Sequence, residues 1–150
     1  MEQLNQDYRE FIELLKEKEV EYIVVGAFAM AFHGHPRFTG DIDFWVRNTE
    51  SNALKVYSAI IEFGFPPENL KESDFTSDDL IFQMGYPPVR IDVLTSIEAL
   101  DFDECYNRKD VKLIDDLRIP FLSIDDLKKN KEAVGRKKDL ADLEELKKRK

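Results

Sequence analysis

Leu4, Tyr8, Phe11, Ile12 and Leu15 recur at helical spacing through residues 2–18, with polar residues on the other faces. That stretch predicts an amphipathic helix with one buried stripe. Residues 20–25 are rich in β-branched residues, a short buried strand stopped by Gly26. Residues 27–32 are compact and apolar, a short helix whose first turn begins at the glycine and which Gly34 and Pro36 end. After a loop at 33–40, residues 40–47 read as a second strand. Residues 48–51 offer caps for a helix marked by Ala53, Leu54, Tyr57, Ile60 and Ile61 and closing near Gly64. Residues 65–79 are acidic and contain two prolines, and are expected to be loop. Residues 80–84 and 88–95 predict a β-hairpin around Gly85, Tyr86 and Pro87, and Ser96 offers a cap for a helix reaching about residue 108. Residues 111–114 and 119–122 are short strands joined by a charged turn. Ser123 with Asp126 resembles a capping box for a helix to Val134, which Gly135 stops. A last helix over 138–150 sets Leu140, Leu143 and Leu146 on one side.

Helices and strands interleave without a regular alternation, and one strand pair is a hairpin. The predicted class is α/β or α+β, a mixed sheet with helices packed against it rather than a doubly wound parallel sheet. No repeat, low-complexity tract or interdomain linker interrupts the chain. Its 150 residues suit one domain, 1–150, with the C-terminal helices of 123–150 packed on it.

Composition narrows the function classes. Hydrophobic residues make up 43% and charged residues 35%, as in a soluble globular protein. No run approaches the roughly 18–20 apolar residues of a membrane span, so no membrane partner is expected. The polar, acidic opening is unlike a secretory or transit peptide, and the single Cys105 excludes an internal disulfide framework. Together these point to the cytoplasm. The net charge of −9 argues against broad, non-specific nucleic-acid binding. Residues 128–150 hold ten Lys or Arg against five Asp or Glu. That segment either reaches an anionic partner or is a solvated, charge-sided helix.

Chemistry concentrates in residues 24–46. On a strand, Asp41 and Asp43 point to one face while Ile42, Phe44 and Val46 point to the other. Neighbouring carboxylates repel, and a divalent cation relieves the repulsion; hard Mg²⁺ takes carboxylate oxygens and retains sites for substrate phosphates. Asp92 lies on another strand-like run. It either joins the pair on one face or is an edge carboxylate paired with Arg90 or a lysine. Gly26 and Ala27, at a strand-to-helix turn, leave free backbone N–H groups that suit a phosphate. Zinc is disfavoured, since His33 and His35 have only Cys105 as a thiolate partner. Cys105 reads as a small buried hydrophobe, and Phe44 and Trp45 as core, with Trp45 also placed to floor a base-binding cleft.

Gly26-Ala27, a spacer, Asp41-Ile42-Asp43 and a later strand aspartate, Asp92, resemble the DNA polymerase β-like nucleotidyltransferase superfamily. The likeness is greatest to its small bacterial members, the minimal nucleotidyltransferase and toxin–antitoxin-associated proteins. Residues 33–43 are similar to their "HGxxRxTxDID" stretch, and Lys131 through Leu143 to their "K…GRxKDLADL" ending. The resemblance implies that Asp41, Asp43 and Asp92 coordinate Mg²⁺ or Mn²⁺ and form the catalytic set. It implies that Gly26 and Ala27 line an NTP triphosphate and that Arg37 and Thr39 lie beside the metal strand. Lys131, Arg136 and Lys138 are then candidates for phosphate contacts, against the reading of ordinary paired surface cations. The usual Gly-Gly or Gly-Ser signature is Gly26-Ala27 here, so a serine hydroxyl is absent.

The implied reaction joins a nucleoside monophosphate from an NTP to an acceptor hydroxyl and releases pyrophosphate. The acceptor is a small molecule, a protein or an RNA end. The alternative is a non-catalytic binding module of the same fold, acting with a partner protein of a toxin–antitoxin pair. A metal-dependent nuclease uses similar acids, but the turn before them fits a triphosphate better.

Overall fold

A computed structural model describes residues 4–35, 40–65 and 68–148. Elements follow in the order α1 (Gln6–Glu17), β1 (Tyr22–Val25), α2 (Gly26–Phe32), β2 (Asp41–Val46), α3 (Glu50–Phe63), β3 (Ile81–Met84) and β4 (Arg90–Leu94). Then come α4 (Phe102–Asn107), β5 (Asp110–Ile114), β6 (Leu117–Phe121), α5 (Ile124–Val134) and α6 (Lys137–Lys147). The strands form one six-stranded mixed sheet in the order β3-β4-β2-β1-β6-β5. β1 runs antiparallel to β2 and parallel to β6, while β2 and β4 are parallel. This is the expected mixed α/β architecture. No helix among the described residues is long and apolar enough to cross a membrane.

The central strands β1, β2 and β4 are those whose side chains are apolar on at least one face. All four residues of β1 are buried, which suits a strand covered on both sides. On β2, alternation sends Ile42, Phe44 and Val46 to the face beneath α1, where Phe44 meets Phe11 edge-to-face at 5.3 Å. The opposite face takes Asp41, Asp43 and Trp45, and Trp45 packs on Phe102 of α4 at 5.1 Å. Phe44 and Trp45 are thus both core. α1 turns Tyr8, Phe11, Ile12 and Leu15 inward, the stripe expected from their spacing.

Caps set the helix limits. Asn5, Thr49 and Ser123 accept hydrogen bonds from the backbone N–H groups of Asp7, Asn52 and Asp126 and open α1, α3 and α5. Gly64 and Gly135 close α3 and α5 in the left-handed conformation that glycine adopts without Cβ strain.

Three expectations are corrected. The helix foreseen from Ser96 to about residue 108 is only α4, capped by Asp101. Ser96 is committed elsewhere: its hydroxyl donates to Asp79 Oδ1 at 2.7 Å and accepts from the Asp79 N–H at 2.9 Å. Within 65–79, Glu72–Thr76 forms a 3₁₀ turn anchored by fully buried Phe75, so this segment is part core and not plain loop. On α6, Leu143 and Leu146 are buried but Leu140 is exposed; Asp139 and Asp142 take the inner positions.

The junction of β1, β2 and α3 depends on one buried amide. Asn52 accepts from the Glu21 N–H at 2.8 Å and donates to the carbonyls of Arg47 at 2.8 Å and Glu21 at 3.1 Å. Replacing Asn52 by Ala removes three hydrogen bonds to backbone groups, of which the Glu21 carbonyl keeps a second partner in the Arg47 N–H, and should cost about 2–4 kcal/mol. Urea unfolding of Asn52→Ala against the parent checks this.

Candidate active site

Two parallel strands and one turn assemble the site. β2 and β4 pair with Asp43 opposite Asp92 and Asp41 opposite Arg90. Residues opposite one another in a ladder share a face, so Asp92 joins Asp41 and Asp43 on the face away from α1. Each acid presents an oxygen within 4.8 Å of those of the other two. Asp92 does pair with Arg90, but it is no edge carboxylate: β4 lies between β3 and β2.

Antiparallel pairing of β1 with β2 puts Val25 opposite Asp43, so the chain leaves the sheet at Gly26 directly against that carboxylate. Gly26 has φ +72°, and a Cβ built there would overlap Asp43 Oδ2. Glycine is required twice over, by conformation and by contact. Ala27 follows in the first turn of α2.

The cluster is electrostatically loaded. Burial raises the Asp43 carboxyl to about 8, helped by the charges of Asp41 and Asp92. Asp92 is also raised, first by burial, although its hydrogen bonds from Arg90 oppose the shift. Tyr8, from α1, donates its hydroxyl to Pro88 O at 3.2 Å and packs edge-on against Phe28 at 5.5 Å. Burial and then the three nearby aspartates push its phenol up to about 12, so it stays a neutral donor. Three oxygen donors, crowded and partly desolvated, fit a hard divalent cation such as Mg²⁺ or Mn²⁺, which would offset their repulsion.

The chain also has relatives among known proteins. Residues 2–148 match the model of a family described as a nucleotidyltransferase of unknown function (DUF6036). The chain belongs to that family. Its fold is similar to the crystal structure of a Thermotoga maritima protein described as a candidate nucleotidyltransferase. That likeness has a TM-score of 0.64 at 18% identity and covers 92% of this chain and 88% of the other. The nucleotidyltransferase fold is therefore shared well beyond sequence likeness. No curated protein matches the chain.

Within this nucleotidyltransferase fold the remaining predicted residues are placed unevenly. Arg37 and Thr39 lie outside the described residues. Lys131 of α5 sits between the buried acids of α6, 3.5 Å from Asp139 and 3.0 Å from Asp142. Arg136 holds Asp139 through Nε at 2.6 Å, and Lys138 is exposed. Lys131 therefore pins α6 to α5, while Arg136 caps the start of α6 itself, and α5 in turn packs against α2. His33 Nε2 lies 2.8 Å from the Leu122 carbonyl, tying the end of α2 to the start of the C-terminal helices.

Two site residues escaped the sequence reading. Tyr8 was one apolar position among several in α1. Arg90 entered only as a rival partner for Asp92, although Arg-x-Asp on a strand places both on one face by the same alternation that joins Asp41 to Asp43.

The pH dependence has a definite sign. Asp43 has a higher pKa folded than unfolded, so its contribution to stability is full below about pH 4 and is lost as pH rises through about 8. Thermal melts in EDTA should show this loss, and Mg²⁺ or Asp43→Asn should flatten it. A second expectation concerns the turn. Gly26→Ala forces a non-glycine residue into the left-handed region, costing roughly 1–2 kcal/mol before its overlap with Asp43 is counted. Its melting temperature should fall, and by more than that of Ala27→Gly.

Proposed function

We propose that the chain transfers a nucleoside monophosphate from an NTP to an acceptor hydroxyl, with Asp41, Asp43 and Asp92 as the catalytic set and metal ligands. The observation that carries this reading is the convergence of three carboxylates from adjacent parallel strands beside the backbone of Gly26, in a chain of a nucleotidyltransferase family. A bound Mg²⁺ or Mn²⁺ would supply charge neutralisation at the phosphates.

The residues divide the work. Asp41 and Asp43 present their oxygens from one face of β2, and Asp92 closes the set from β4. Gly26 has no side chain to obstruct a phosphate approaching Asp43, and Ala27 offers only its backbone N–H. An acceptor oxygen attacks the α-phosphorus in line, its bond to pyrophosphate breaks, and Asp92 orients the hydroxyl and takes its proton. Arg37 and Thr39, just before β2, are proposed to approach the phosphates. Lys131 and Arg136 are proposed to act on phosphate only from their present pairs with Asp139 and Asp142, while Lys138 is the exposed cation of that group.

The test is label transfer. The protein is incubated with each α-labelled NTP, Mg²⁺ and a cell extract. Label should appear on an acceptor fraction with the parent chain and fall to background with Asp43→Ala or EDTA. Transfer by Asp43→Ala equal to that of the parent would sink the enzymatic reading. NTP binding followed by calorimetry should likewise weaken at least tenfold in EDTA.

A further inference from the structure

Arg90 shares a face of β4 with Asp92, two residues on, and stands opposite Asp41 in the ladder. Its guanidinium donates through Nε to Asp92 Oδ1 at 2.9 Å. A terminal nitrogen donates to Asp92 Oδ2 at 3.1 Å and to Asp41 Oδ2 at 2.7 Å. One planar cation thus spans two of the three acids, with the fork geometry that suits carboxylates.

The backbone beneath this fork is held from two sides. The Arg90 N–H donates to the Gly40 carbonyl at 3.2 Å, just before Asp41. The Tyr8 hydroxyl reaches the carbonyls of Pro88 and Arg90, at 3.2 and 3.5 Å. The side chain itself keeps 28% of its surface exposed, so its head group has a solvent side to move into. Asp43 accepts none of the described Arg90 hydrogen bonds. The guanidinium therefore sets one positive charge against two of the three acids.

A divalent ion among the three acids needs lone pairs on the same oxygens that Arg90 engages, and it repels a guanidinium a few ångströms away. Both cannot hold Asp41 and Asp92 together at full strength. Resting on the metal-site reading above, we propose that Arg90 is a resident counter-ion that exchanges with the metal. The guanidinium holds Asp41 and Asp92 in place when the metal is absent and leaves them when it binds. Metal loading is then a displacement, and its apparent affinity is lowered by the fraction of time the acids are held by Arg90.

The test uses the full chain without nucleotide. Mn²⁺ binding is measured by calorimetry for the parent, Arg90→Lys and Arg90→Gln. In parallel, the Arg90 Nε–H resonance of ¹⁵N-labelled parent protein, assigned by its loss in Arg90→Lys, is followed during Mg²⁺ titration. Exchange predicts that this resonance moves toward the position of exposed arginines as the Asp43 amide reports saturation. It also predicts that Arg90→Lys, which keeps the charge but not the fork, binds Mn²⁺ more tightly than the parent. Arg90→Gln should bind about tenfold more tightly, the factor for acids free a tenth of the time.

An Arg90 resonance unmoved at saturation overturns the proposal, as does parent-like Mn²⁺ affinity in Arg90→Lys. If Arg90→Gln does not fold, the spectra and Arg90→Lys decide alone. Absence of Mn²⁺ binding in the parent and both variants is a different result: the metal reading itself falls, and the exchange with it.

Discussion

Three carboxylates within 4.8 Å of one another are the constraint around which this structure is arranged. Such a cluster opposes folding unless something offsets its charge, and each neighbouring element addresses that problem. Arg90 supplies a cation from within the same sheet. Gly26 withdraws every side-chain atom from beside Asp43. Tyr8 brings a neutral hydroxyl that fastens the chain entering β4. Holding the acids close costs stability, and a protein retains such an arrangement where the concentrated charge has a use.

The sheet order makes the arrangement rigid. β2 lies between β1 and β4, so Asp43 is flanked by the turn at Gly26 on one side and by Asp92 on the other. Beneath it, Phe44 is locked against Phe11 and Tyr22, and Trp45 against Phe102. The acids therefore alternate along a strand whose remaining side chains are immobilised by packing, which limits how far they can spread apart. The C-terminal helices add a second attachment: Lys131 knits α5 to α6, α5 packs on α2, and His33 reaches Leu122.

That attachment revises the meaning of the basic C-terminal segment. Its excess of lysine and arginine left two readings open, a reach toward an anionic partner or a solvated, charge-sided helix. Inside the fold, two of its cations are spent on Asp139 and Asp142, which occupy positions a helical wheel would give to leucine. A pairing of this kind serves register between two helices better than it serves net stability.

Alternation alone determined a good deal. The strand at 40–47 could only send Asp41 and Asp43 to one face, because they alternate with Ile42, Phe44 and Val46, which are apolar and need the core. The order of helices and strands likewise announced a mixed α/β sheet, and the caps Thr49, Gly64, Ser123 and Gly135 stand where local chemistry puts them. Tertiary structure decided what local rules do not contain. The registers of β2 with β4 and of β1 with β2 brought Asp92 and Gly26 to Asp43, across gaps of 49 and 17 residues. Ser96 lost its helix to a bond with Asp79, a partner that no spacing rule names. Arg90 became part of the site because a parallel neighbour set Asp41 beside it. Periodicity reports which face a side chain takes, whereas only pairing between distant strands decides what waits on that face.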